Sequence, residues 1–103
     1  MKWESPKADI KPAPRFWRIE RVSERYNFTE DKYILNGVTT PYNGIKSKRE
    51  AVCILDRIEQ DAKERISGFS EKSGEYALRT SREDLHVCIY GNKMHFTIKS
   101  NNK

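Results

Sequence analysis

The chain has 103 residues, 36% hydrophobic and 34% charged, and its 20 basic and 15 acidic side chains leave a net charge of +5. One domain with a single core is what that length supports. With no apolar run near the roughly 18 residues of a membrane helix and no apolar targeting segment, neither a span nor a secretory signal is expected. Two cysteines are too few for a disulfide framework, so free thiols in a reducing cytoplasm are the expectation.

Residues 1–14 carry three prolines and few apolar groups. Proline removes backbone donors and enforces extended geometry, so this stretch reads as a flexible tail, with Trp3 and Ile10 as its apolar exceptions. The domain is expected over 15–100, and 101–103 as a disordered end. "RFWRIERV" (15–22) is aromatic and β-branched, which suits a strand with Trp17 and Ile19 on one face and Phe16, Arg18, Glu20 and Val22 on the other.

"SERYNFTED" (23–31) reads as a polar loop. "KYILNGVTT" then holds Asn36-Gly37 between apolar-flanked segments, the strongest short hairpin signal, which would pair Leu35 with Val38 and Tyr33 with Thr40. Pro41 is expected to end that strand.

The clearest element is a helix. Ser47 and Glu50 form an S-x-x-E capping box, and Ala51, Ile54, Leu55, Ile58, Ala62 and Ile66 recur at helical spacing. Cys53 falls opposite that stripe, and Gly68 is the expected C-terminal cap. Asp56, Glu59, Asp61 and Glu64 lie on the solvent side among basic neighbours, as surface pairs and not as catalytic carboxylates. "EYALRT", "DLHVCIY" and "KMHFTIK" follow as three strands, the last two joined by a Gly91-Asn92 turn. The expected fold is therefore α+β, one long amphipathic helix on an antiparallel sheet in the order β-β-β-α-β-β-β, in one sheet or two.

A turn at 91–92 places Cys88 opposite His95 and His86 opposite Thr97. Leu85, Val87, Ile89, Met94, Phe96 and Ile98 then share the inner face. His86, Cys88 and His95 are residue types that zinc accepts. They lack a fourth ligand and any C-x-x-C or H-x-x-x-H spacing, so no metal and no cofactor is expected. A Cys88 nucleophile with His95 as base would need an orienting group and oxyanion donors, which a flat sheet face does not supply. Asp84 is expected to pair with Lys99.

No Walker loop, H-E-x-x-H, G-x-S-x-G or dinucleotide fingerprint is present, so the reading leans away from an enzyme. Lys46, Lys48 and Arg49 surround the helix start, where cations are unfavourable unless an anion compensates them. Arg15 and Arg18, with Phe16, have the composition of a cation-plus-stacking surface, and Tyr90 is a second stacking candidate. The expectation is a small basic binding module for nucleic acid or a nucleic-acid-bound complex, with nucleic acid or an acidic protein surface as partner and no membrane. The alternative is a protein-interaction module, a small inhibitor or adaptor, that uses the outer sheet face, a strand edge or the tail.

Overall fold

The structure, a computed structural model, describes residues 16–66 and 74–101. Two strands come first, β1 (Trp17–Asn27) and β2 (Lys32–Ile45). The helix α1 (Lys48–Arg65) follows, and then β3 (Tyr76–Ser81), β4 (Asp84–Ile89) and β5 (Asn92–Ser100). The strands form one antiparallel sheet in the order β2-β1-β5-β4-β3. The expected three-strand meander before the helix is therefore corrected to a two-strand hairpin, giving β-β-α-β-β-β.

The correction turns on Asn36-Gly37, where β2 passes straight through without reversing. The reversal lies at 28–31. There Asn27 Oδ1 accepts hydrogen bonds from Thr29 N (2.8 Å) and Glu30 N (3.0 Å), and Asp31 takes φ 55. That turn lets β2 pair along the whole of β1, a longer ladder than a hairpin closed at 36–37 would allow. Because Ser23 pairs with Gly37 and Glu24 with Leu35, Asn36 is an extra residue, a β-bulge. Two further shifts, near Pro41 and Gly44, let the 14 residues of β2 match the 11 of β1. Pro41 does not end the strand, since at an edge its missing donor costs no ladder bond.

Helix α1 begins as its capping residues dictate, with Glu50 N donating to Ser47 Oγ at 3.1 Å. Its far-end cap, expected at Gly68, lies outside the described residues. The helix leaves edge strand β2 and delivers the chain towards the opposite edge strand β3, so it has to cross the sheet, and it touches all five strands. Ala51, Leu55 and Ala62 are buried against Ile19, Ile45, Leu85, Val87, Phe96 and Ile98, with Trp17, Ile54, Ile58 and Met94 packed around them. At the thin β3 edge, Arg79 Nη1 donates to Asp56 (2.7 Å) and Glu59 (3.0 Å), tying that strand to the helix.

The β4–β5 turn sits one residue earlier than expected, at Tyr90-Gly91, with φ 52 and φ 78 as a type I′ turn requires. The pairing therefore becomes His86 with His95, Cys88 with Lys93 and Asp84 with Thr97. Moving the turn by one residue shifts the pairing by two and leaves the paired side chains on their expected faces, while Tyr90, expected on the outer face, moves into the turn, so alternation alone could not separate the two registers.

Two substitutions test this packing. Leu55→Ala, at a fully buried site, is expected to cost about 2–5 kcal/mol by urea denaturation, and a loss under 1 kcal/mol would contradict the core described. Tyr90→Asn should stabilise by about 1 kcal/mol, because asparagine tolerates the left-handed backbone that tyrosine adopts here under strain. A lowered denaturation midpoint would refute that account of the turn.

Candidate nucleic-acid interface

β1 starts beside the ends of β2 and β5, since Trp17 pairs with both Ile45 and Ser100. Phe16, Arg18, Lys46 and the helix start are thereby gathered at one end of the sheet. Lys48 Nζ lies 5.8 Å from the Trp17 ring centroid and 2.9 Å from Glu83 Oε2, so it is already compensated. Lys46 and Arg49 are exposed and make no ion pair among the described residues. Arg18 is engaged three times, by Glu20 Oε2 (3.0 Å), Ser100 O (2.9 Å) and Asn101 Oδ1 (2.8 Å). Arg15 lies outside the described residues.

The two stacking candidates do not meet. Phe16 stands at the start of the β1–β5 ladder and Tyr90 beyond its far end, next to the Asn92–Arg25 rung. At ~3.3 Å per residue, that separation is roughly 25–30 Å.

The outer sheet face carries the histidines and Cys88. His86 and His95 stack with centroids 4.0 Å apart and planes 11° apart. His95 Nε2 lies 3.1 Å from Asp84 Oδ1, which also accepts from Thr97 Oγ1 at 3.2 Å, while Ser81 Oγ donates to Asp84 Oδ2 at 3.0 Å. Asp84 therefore does not pair with Lys99, which reaches Glu20 instead at 3.1 Å. Cys88 is 3% exposed and contacts the Tyr33 hydroxyl at 3.7 Å, with Lys93 Nζ 4.0 Å above the Tyr33 ring. Covered in this way and opposite a lysine, the thiol is not placed to attack a substrate with His95 as base. No group of three potential metal ligands occurs among the described residues.

Protonation follows these contacts. Burial and the neighbouring His95 hold His86 below its ordinary value against the opposing pull of Asp84. Burial pushes the Asp84 carboxyl up, but hydrogen bonds from Ser81, His95 and Thr97 outweigh it and hold the group low. Hydrogen bonds from Lys99 and Arg18 lower Glu20. The Cys88 contact and burial raise the Tyr33 hydroxyl.

One concavity was not anticipated. A groove of about 530 Å³ opens between the last turn of α1 and the far half of β1, lined by Arg21, Ser23, Asn36, Arg65, Ile89, Tyr90, Asn92 and Met94. Arg21 shares the helix-facing side of β1 with Trp17 and Ile19, an apolar position by parity. That misplaced arginine was the available sequence signal. Its Nε is buried and meets no hydrogen-bond partner among the described residues, at a cost of about 1–3 kcal/mol for such a donor.

No helix among the described residues is long and apolar enough to cross a membrane. Comparison with known proteins yields no relative: no family model matches the chain, and neither a curated protein nor a solved structure matches it significantly.

The lowered groups set an acid limb for stability. The unfolded chain binds more protons than the fold at His86, so stability falls as pH drops below about 6.5. Asp84 and Glu20 stabilise the fold above their unfolded values, near 4, and that contribution is lost as pH falls through their lower folded values. Urea midpoints taken across this range should decline in two stages, and His86→Gln should flatten the first. An unchanged first stage in that variant would show that the His86 imidazole does not cause it.

Proposed function

We propose that the protein is a small non-enzymatic binding module that contacts nucleic acid, or a complex carrying it, through Lys46, Lys48 and Arg49, helped by Arg15 and Arg18 and with Phe16 as a stacking residue. The observation that carries this reading is that Lys46 and Arg49 stand exposed and without ion pairs among the described residues at the positive end of the helix. Free backbone N–H groups and a positive dipole end at that point favour an anion, and a phosphate backbone supplies a row of them. Arg18 supports the surface more as a brace than as a donor, because its guanidinium already holds the β1 and β5 ends together.

A second reading has its own support. The outer sheet face lies opposite the helix and exposes Leu35, Val38 and Leu78, while β2 and β3 present edges. Apolar surface of that kind suits a protein partner, as it would in a small inhibitor or adaptor.

Fluorescence anisotropy with a labelled single-stranded oligonucleotide separates the two. For the nucleic-acid reading, affinity should fall steeply with salt, and converting Lys46, Lys48 and Arg49 together to alanine should reduce the log–log salt slope by about two units. Binding indifferent to salt and to the triple substitution would dismiss it. A stoichiometric protein captured from nuclease-treated lysate, and released by Leu35→Asp with Val38→Asp, would favour the second reading.

A further inference from the structure

We infer that the groove between Arg21 and Arg65 is a nucleotide site, with a phosphate held between the two guanidiniums and a base stacked on Tyr90. For the macromolecular source of its ligand, the inference rests on the nucleic-acid reading above; its chemistry stands on separate observations, at the opposite end of the sheet from the helix-start cations.

The first observation is an excess of positive charge. Arg21 enters the groove from β1 and Arg65 from the last turn of α1. Among the described residues Arg65 pairs with one carboxylate, Asp61 at 3.8 Å, which also lines the adjoining pocket with Arg21; both side chains of the pair are about two-thirds exposed or more, so it is weak. Arg21 has no ion pair among the described residues, and its Nε is a buried donor with no acceptor there. Arg25 lies four rungs further along the same face of β1, beyond Ser23 and outside the groove lining. Two guanidiniums on one concavity repel each other, and a shared phosphate would reverse that repulsion by accepting from their terminal N–H groups.

The second observation is Tyr90. It is 79% exposed and adopts φ 52, a backbone conformation that favours asparagine or glycine over an aromatic residue. Neither core packing nor an aromatic contact among the described residues accounts for a tyrosine there. Strain kept at an exposed ring points to a use for the ring. With Ile89 and Met94 as an apolar floor and Ser23, Asn36 and Asn92 as hydrogen-bonding rims, the groove can receive a flat heterocycle joined to a phosphate. Its volume of about 530 Å³ lies in the range of small-molecule sites.

A nucleotide unit of a single strand and a free nucleotide present the same chemistry, so the test carries both. Heteronuclear NMR titrations with adenosine monophosphate, adenosine and inorganic phosphate would follow the Ser23, Asn36 and Asn92 amides, and anisotropy would follow a labelled single-stranded oligonucleotide. Shifts at these amides are expected with the monophosphate, and weaker ones with adenosine or phosphate alone. Tyr90→Asn and Arg65→Ala should each weaken monophosphate binding about tenfold, and Tyr90→Phe should retain it. Tyr90→Asn also relieves backbone strain, so a thermal midpoint at or above that of the parent protein excludes unfolding as the cause of lost binding.

Oligonucleotide binding weakened by these variants and also by the helix-start triple substitution would identify a strand spanning both ends. Monophosphate binding with no oligonucleotide binding would keep the site and assign it to a free nucleotide, although the nucleic-acid reading would then fail. Groove variants that bind monophosphate and oligonucleotide as the parent does, or a parent that shows no shift at these amides, would overturn the inference. A salt-sensitive oligonucleotide contact at Lys46, Lys48 and Arg49 would still stand.

Discussion

Everything in this fold depends on one apolar seam, the burial of Ala51, Leu55 and Ala62 on Ile19, Leu85, Val87, Phe96 and Ile98. Leu55, Ile19 and Leu85 are wholly removed from water, and without that burial a five-stranded sheet would present two wet faces and no core. The seam also dictates the helix's path. A chain that leaves one sheet edge and re-enters at the other can cover the intervening strands only by crossing them, which the 18 residues of α1 are long enough to do. The last turn of the helix lies beside Ile89 and Met94, and among the described residues the helix does not cover the far inner half of β1, where the groove lined by Arg21 and Arg65 lies.

A single helix covers a single face, so the outer face is stabilised by side-chain pairing. There the His86–His95 stack, the Asp84 carboxyl with its three hydrogen-bonding neighbours, and Glu20 between Arg18 and Lys99 form cross-strand pairs over β4, β5 and β1. In the sheet the residues of metal-ligating type are a His86–His95 stack, with His95 against Asp84 and Cys88 covered by Tyr33. The pH dependence of these contacts follows from the groups involved.

The hairpins show how far local pattern reaches. Asn36-Gly37 has the strongest local preference for reversal, yet a ladder running the length of β1 outweighed it, and the pair became a bulge. At the other hairpin the paired residues of β4 and β5 lie on the faces that alternation assigns, but the partners are displaced by two. Period-2 patterning is blind to such a displacement, because a shift of two restores the same faces. The displacement matters chemically, since it sets His86 against His95 and leaves Cys88 opposite Lys93.

The sequence alone determined the helix, its Ser47 cap, its apolar stripe and the inner and outer faces of the last hairpin. Each of these is written within one turn or one strand, in spacings of 3.6 or 2 residues. Tertiary structure alone decided that β1 pairs with β5, that one sheet forms with β2 and β3 at its edges, and that Phe16 and Tyr90 stand at opposite ends of it. It also decided that Arg21 and Arg65 line one groove. Those relations join residues tens of positions apart, and they are set by which long-range pairing buries the most apolar surface and satisfies the most backbone, a comparison that no local window contains.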